Sequence, residues 1–184
     1  MREFFGKLIG RFELGVILGG IIFVACVGEI VTDWNKPAST VPVNTTLTLE
    51  YKVTSEHYTA DACIVCCIDD RFTPMLKRFA RQKGYLKIDW IKVAGGAKDF
   101  DDTSTVHAYL RKQIVKSLEL HHTKRVDIVI HTDCGAYGGD NNDVFSVTEL
   151  ERIRSEIKTE LHENGYDVSV VAYLATFNGL YEVK

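Results

Sequence analysis

The chain has little of what would make it a stapled or a disordered protein. Only 5 of its 184 residues are cysteine and only 3 are proline. Five cysteines are too few for a disulfide scaffold. The low proline count, beside 46% hydrophobic and 26% charged residues, excludes a disordered or collagen-like chain. There is no basic excess either: 22 Lys and Arg face 25 Asp and Glu, for a formal charge of −3. That balance argues against nucleic acid as the main partner. Finally, no apolar run reaches the ~20 residues that usually span a bilayer.

One run comes close. Residues 14–28 (LGVILGGIIFVACVG) carry no polar side chain. Ile30 and Val31 extend the run past Glu29, and Phe12 precedes it past Glu13. A tilted span in a locally thinned bilayer is feasible at that length. Arg2, Lys7 and Arg11 outnumber Glu3 and Glu13 on the N-terminal flank, which by the positive-inside rule places the N-terminus in the cytoplasm and the rest outside. Residues 1–31 are therefore expected to be a cytoplasmic flank with a transmembrane or signal-anchor segment. The alternatives are a cleaved signal, lipidation at Cys26, or a buried helix of a cytoplasmic protein. Residues 32–46 hold two of the three prolines and read as a linker. Residues 47–184 form the expected domain. It carries the whole −3, because residues 1–44 hold four basic and four acidic residues.

In that domain strand-like and helix-like segments alternate. Leu47–Val53 alternates apolar and polar and is expected to be an edge strand. Ala62–Ile68 (ACIVCCI) is a continuous apolar run, as in a strand covered on both faces. Thr73–Lys83 has helical spacing and is stopped by Gly84. Leu86–Val93 reads as a strand. Thr103–His121 reads as a helix with Val106, Leu110, Ile114 and Leu118 on one stripe. Arg125–Ile130 and Val168–Leu174 read as further strands. Between them Ser146 begins a helix, since Ser146 and Glu149 fit a capping box. Alternation of this kind predicts a three-layer α/β/α fold with a mostly parallel sheet of four or five strands.

The reactive residues fall at the carboxyl ends of those strands. Cys67 closes the first buried strand, Gly95 and Gly96 follow the second, and His131 ends the third with Cys134 three residues on. Ligand sites of open α/β sheets lie at that edge. If the first and third buried strands are neighbours, Cys67, His131 and Cys134 converge. Two thiolates and one imidazole suit a tetrahedral Zn²⁺ with its fourth position open, the pattern of a catalytic zinc. Cys63 and Cys66 read as core thiols. A nucleotide site is disfavoured, because the first strand runs into Cys67-Ile68-Asp69-Asp70-Arg71 and not into a Gly-rich phosphate turn.

Those residues resemble a known family. Cys67-Ile68-Asp69-Asp70-Arg71 and His131-Thr132-Asp133-Cys134-Gly135 are similar to the Cys-x-Asp-Ser-Arg and His-x-x-Cys-Gly motifs of the β-class carbonic anhydrases. Val93-Ala94-Gly95-Gly96 is similar to that family's Asn-Ala-Gly-Asn loop, and the resemblance covers roughly residues 60–180. It implies a β-carbonic anhydrase-like fold and one Zn²⁺ per chain on Cys67, His131 and Cys134. It also implies reversible hydration of CO₂ to bicarbonate and a proton by zinc-bound hydroxide. Asp69 would accept a hydrogen bond from that hydroxide, and Arg71 would hold Asp69 ionised and oriented. In the family this Asp can also become a fourth zinc ligand. Three departures stand out. Asp70 replaces the motif serine, Gly95-Gly96 supplies no Asn side chain, and residues 45–66 contain no Gln and no long helical arm of the kind that clasps the family's homodimer. They leave two other readings: a zinc-binding relative with a binding or structural role, and a hydrolase of a related small molecule such as COS or CS₂.

Overall fold

The computed structural model describes residues 45–98, 100, 105–139 and 143–184. The expected anchor, and the linker up to residue 44, lie outside them. Among the described residues no helix is long and apolar enough to cross a membrane. The chain divides into two units, Met1–Tyr51 and Lys52–Lys184.

Of the first unit, residues 45–51 carry neither helix nor strand. The expected edge strand over Leu47–Val53 is not formed: Leu47, Leu49 and Tyr51 of the first unit and Val53 of the second are all exposed. Apolar alternation makes a strand only where another strand's backbone is free to pair with it.

The second unit is built on five strands: β1 (Ala62–Cys67), β2 (Ile88–Val93), β3 (Arg125–His131), β4 (Ser169–Thr176) and β5 (Gly179–Val183). Three α-helices connect them: α1 (Thr73–Gln82), α2 (Thr105–Leu120) and α3 (Asp143–Glu163). The sheet order is β2-β1-β3-β4-β5. The first four strands are parallel, and β5 returns antiparallel to β4. The expected three-layer α/β fold is the one observed.

Strand periodicity sorts the core. Cys63 and Val65 face one side with Val126, Ile128, Ile130, Ala172 and Leu174, under Leu110 and Ile114 of α2 and Leu150, Ile153 and Ile157 of α3. Ala62, Ile64 and Cys66 face the other side with Val129, Tyr173 and Ala175, under Leu76 of α1. Each fully buried Leu or Ile contributes roughly 1.5–3 kcal/mol. The chain winds from β1 out to β2, then back across β1 to β3. Crossovers of one hand running in opposite directions put their helices on opposite faces. The reversal leaves a switch point between the carboxyl ends of β1 and β3.

Two boundaries differ from expectation. α3 begins at Asp143, so Ser146 is buried in its first turn and is not the cap. Glu149 turns its carboxylate to Arg152 at 2.7 Å, an ordinary pair three residues apart on a helix. The fifth strand is β5, joined to β4 through Phe177 and Asn178. Asn178-Gly179 before Leu180, Tyr181, Glu182 and Val183 is a turn signal in the sequence, set one residue later than the observed Phe177-Asn178 connection.

Candidate metal centre

β1 and β3 are neighbours, paired in register Cys63 with Val126 through Val65 with Ile128. That register sets the last residues of the two strands side by side at one edge. The ligand atoms of Cys67, His131 and Cys134 all lie within 4.8 Å of one another. The two sulfurs are 4.0 Å apart. Two Zn–S bonds of ~2.3 Å at the tetrahedral angle would set them about 3.8 Å apart. The donor set and its spacing fit one zinc ion.

Each donor is held by its surroundings. His131 is buried, stacked on Phe72 with ring centroids 4.4 Å apart. Its Nδ1–H donates to the Thr132 carbonyl at 2.8 Å, which leaves Nε2 as the basic nitrogen for a metal. Cys67 Sγ accepts from the Gly95 N–H at 3.4 Å, so the Gly95-Gly96 loop does offer its backbone to the site. Burial pushes the Cys134 thiol up, opposed by backbone N–H groups of Ala136 and Tyr137 that favour the thiolate. Metal binding would add the charge needed to hold both sulfurs deprotonated.

Gly96 explains why this loop needs glycine. Its φ is +63°, and a Cβ there would meet the Val129 carbonyl oxygen at 2.8 Å and the Cys67 nitrogen at 3.2 Å. The backbone can close over the ends of β1 and β3 only without a side chain.

Asp69 and Arg71 follow Cys67 in a single 3-10 turn, Asp70–Phe72. The Asp69 carboxylate caps that turn, accepting from the Arg71 N–H at 3.0 Å. The Arg71 guanidinium grips the same carboxylate, Nη2 to Oδ2 at 2.6 Å and Nε to Oδ2 at 3.0 Å. This pairing holds the Asp69 carboxyl down at about 2. Asp69 Oδ2 sits 3.9 Å from His131 Nε2, so the pair stands beside the cluster. Asp70 is exposed.

Cys63 and Cys66 are core thiols, buried on opposite faces of β1. Burial pushes them up to about 12 and about 11. Neither belongs to the ligand cluster. Two residues beside the site carried no assigned role in the sequence. Asp133 accepts from Arg71 Nη1 at 2.9 Å, and the Phe177 ring lies under the Arg71 guanidinium at 5.5 Å. Phe177 could be placed only by finding the β4–β5 hairpin.

A family model described as "Putative carbonic anhydrase" matches residues 58–183, most of the chain. The chain belongs to the carbonic anhydrase family that this model describes. Solved structures similar to it include β-carbonic anhydrase isoform I of Trichomonas vaginalis, at 12% identity and a TM-score of 0.49, covering 73% of this chain and 87% of that one. Another is a carbonic anhydrase from Glaciozyma antarctica, at 16% identity and a TM-score of 0.45, covering 70% and 84%. A third is a carbonic anhydrase from Streptococcus mutans, at 18% identity and a TM-score of 0.41, also covering 70% and 84%. No curated protein matches in sequence.

Proposed function

We propose that this family member binds one Zn²⁺ on Cys67, His131 and Cys134 and reversibly hydrates CO₂ to bicarbonate and a proton. The observation that carries the reading is the convergence of those three donors, with the Asp69–Arg71 pair 3.9 Å from His131 Nε2. Zinc held there would act as a Lewis acid that brings the pKa of water to about 7.

The chain's own residues supply the rest. Asp69, held near 2, is ionised at every working pH and can only accept a hydrogen bond. A hydroxyl beside it must point its proton at Asp69, which leaves its oxygen lone pairs free for the carbon of CO₂. Arg71 holds Asp69 in that orientation through the two short contacts given above. His131 is locked in one tautomer by Thr132, so its ligand nitrogen keeps one direction. The stacked Phe72 ring shields one face of that imidazole.

The same reading takes residues 1–31 as a membrane anchor, with the domain extracytoplasmic. It is supported by the apolar run 14–28 and its basic flank. A homodimer is consistent with the family, although residues 45–66 contain no long helical arm of the kind that clasps it.

The deciding experiment is stopped-flow CO₂ hydration by the zinc-loaded chain beside its Cys67→Ser variant. The expected result is a rate well above buffer for the first and buffer background for the second. Background rates for both would overturn the proposal.

A further inference from the structure

Arg71 does more than hold Asp69. Its guanidinium is shared between two carboxylates on two different loops. The Nε and Nη2 edge faces Asp69, in the loop after β1 that follows Cys67. Nη1 donates to Asp133 Oδ2 at 2.9 Å, and Nη2 also reaches the Asp133 carbonyl at 3.3 Å. Asp133 lies between His131 and Cys134, in the loop that carries the other two ligands. Its backbone has φ +56°, a left-handed conformation that glycine would adopt with less strain. Local backbone geometry alone therefore favours glycine at 133, and the acidic side chain there is turned onto Arg71.

As a bare ion pair this contact would count for little, because Arg71 and Asp133 side chains are 51% and 52% exposed. Its consequence is geometric. Asp69 Oδ2 is 3.9 Å from His131 Nε2. Two ligand atoms of one tetrahedral zinc lie about 3.3–3.8 Å apart. So Asp69 needs only a small displacement to become a fourth ligand and close the open position. Arg71 opposes that displacement only if Arg71 is itself anchored.

We propose that Asp133 is a positioning residue: it ties Arg71 to the His131–Cys134 loop, and so keeps the Asp69 carboxylate off the metal. The proposal rests on the metal-site reading above. Asp133 touches neither substrate nor metal in it, and acts only through Arg71 and Asp69.

The test uses the full chain loaded with Co²⁺ in place of zinc, and thiocyanate as a probe of the open coordination position, read by visible absorption. The variants are Asp133→Gly, Asp133→Asn, and Asp133→Gly combined with Asp69→Asn. Glycine relieves the left-handed backbone, so a purely conformational role predicts thiocyanate affinity equal to wild type. The positioning role predicts affinity about tenfold weaker in Asp133→Gly, intermediate in Asp133→Asn, which keeps one acceptor oxygen, and restored in the double variant, where Asp69 can no longer ligate as a carboxylate. Unchanged affinity in Asp133→Gly overturns the proposal. So does a loss that Asp69→Asn does not repair. A wild-type chain without a sulfur-to-cobalt charge-transfer band loses the metal-site reading itself, and the positioning role with it. That outcome is distinct from a cobalt-loaded chain whose affinity ignores Asp133.

Discussion

The two edges of the sheet carry similar polar residues and use them differently. At the amino edge, Asp89 of β2 accepts from Tyr58 Oη at 2.7 Å and Ser117 Oγ at 2.6 Å, and meets His121 Nδ1 at 2.8 Å. Ser117 is in turn 2.7 Å from Thr123 Oγ1, and Tyr58 stacks on His121 at 4.1 Å. In that network the hard oxygens and the imidazole saturate one another. It latches residues 58–60 to α2, where Ala60 N–H also donates to the His121 carbonyl. At the carboxyl edge two sulfurs and an imidazole nitrogen lie within 4.8 Å of one another. A titratable cluster is thus not a site by virtue of its residue types. Close approach of soft donor atoms to one another separates the candidate metal cluster from the latch.

The sharpest way to break that contrast is to remove one donor from each edge. Cys67→Ser should take bound zinc from about one per chain to near zero and abolish CO₂ hydration. Asp89→Ala should keep the zinc. Elemental analysis of both variants after gel filtration checks the pair. Equal zinc loss in the two would mean that the edges are not independent. Gly96→Ala should come next in size. It adds a Cβ 2.8 Å from the Val129 carbonyl at a φ of +63°, and should lower stability by about 3 kcal/mol or more. Denaturant unfolding would show it, with zinc affinity falling too, because the same Cβ presses on the Cys67 nitrogen.

Asp89→Ala should cost about 2–3 kcal/mol, since it leaves the donors of Tyr58, Ser117 and His121 without their shared acceptor. The latch also has a pH signature. Burial pushes the Asp89 carboxyl up, but the hydrogen bonds from Ser117, Tyr58 and His121 outweigh it and the net shift is downward. A carboxyl lowered in the folded state adds stability that is fully present above its ordinary value near 3.8. That stability is lost as pH falls further, through the folded value. The melting temperature of wild type should therefore drop below pH 4 more steeply than that of Asp89→Ala. Parallel curves would show that Asp89 does not hold the latch as an anion.

The sequence showed the carboxyl edge far better than the amino edge, for a physical reason. Cysteine and histidine have few uses at a strand end, and parallel strands deliver their ends to one side, so Cys67, His131 and Cys134 could be brought together on the condition that β1 and β3 are neighbours, which the sheet order meets. The latch is made of Tyr58, Asp89, Ser117 and His121, spread over 64 positions, and any of them could have been a surface residue. Buried helices and strands were legible through period. The differences are local: Leu47–Val53 has strand alternation but no observed pairing, and β5 is a short strand with only Val183 buried, so it carries no continuous apolar run. Arg71 was visible as a motif residue, whereas its second partner, Asp133, needed the register of β1 on β3.

The smallest expected effect tests the finest distinction, between adjacent cysteines. Successive strand residues point to opposite faces. Cys66 therefore turns into the core under α1, with Ile64, Phe72 and Leu76, while Cys67 reaches the cluster with His131 and Cys134. Cys66→Ala removes one sulfur from a packed site and should cost about 1 kcal/mol, read by denaturant unfolding. Zinc content and hydration rate should stay at wild-type values, because the Cys67 backbone remains pinned between β2 and the Gly96 turn. Loss of zinc in Cys66→Ala with stability intact would move a ligand from Cys67 to its neighbour, and with it the face of β1 on which the metal sits.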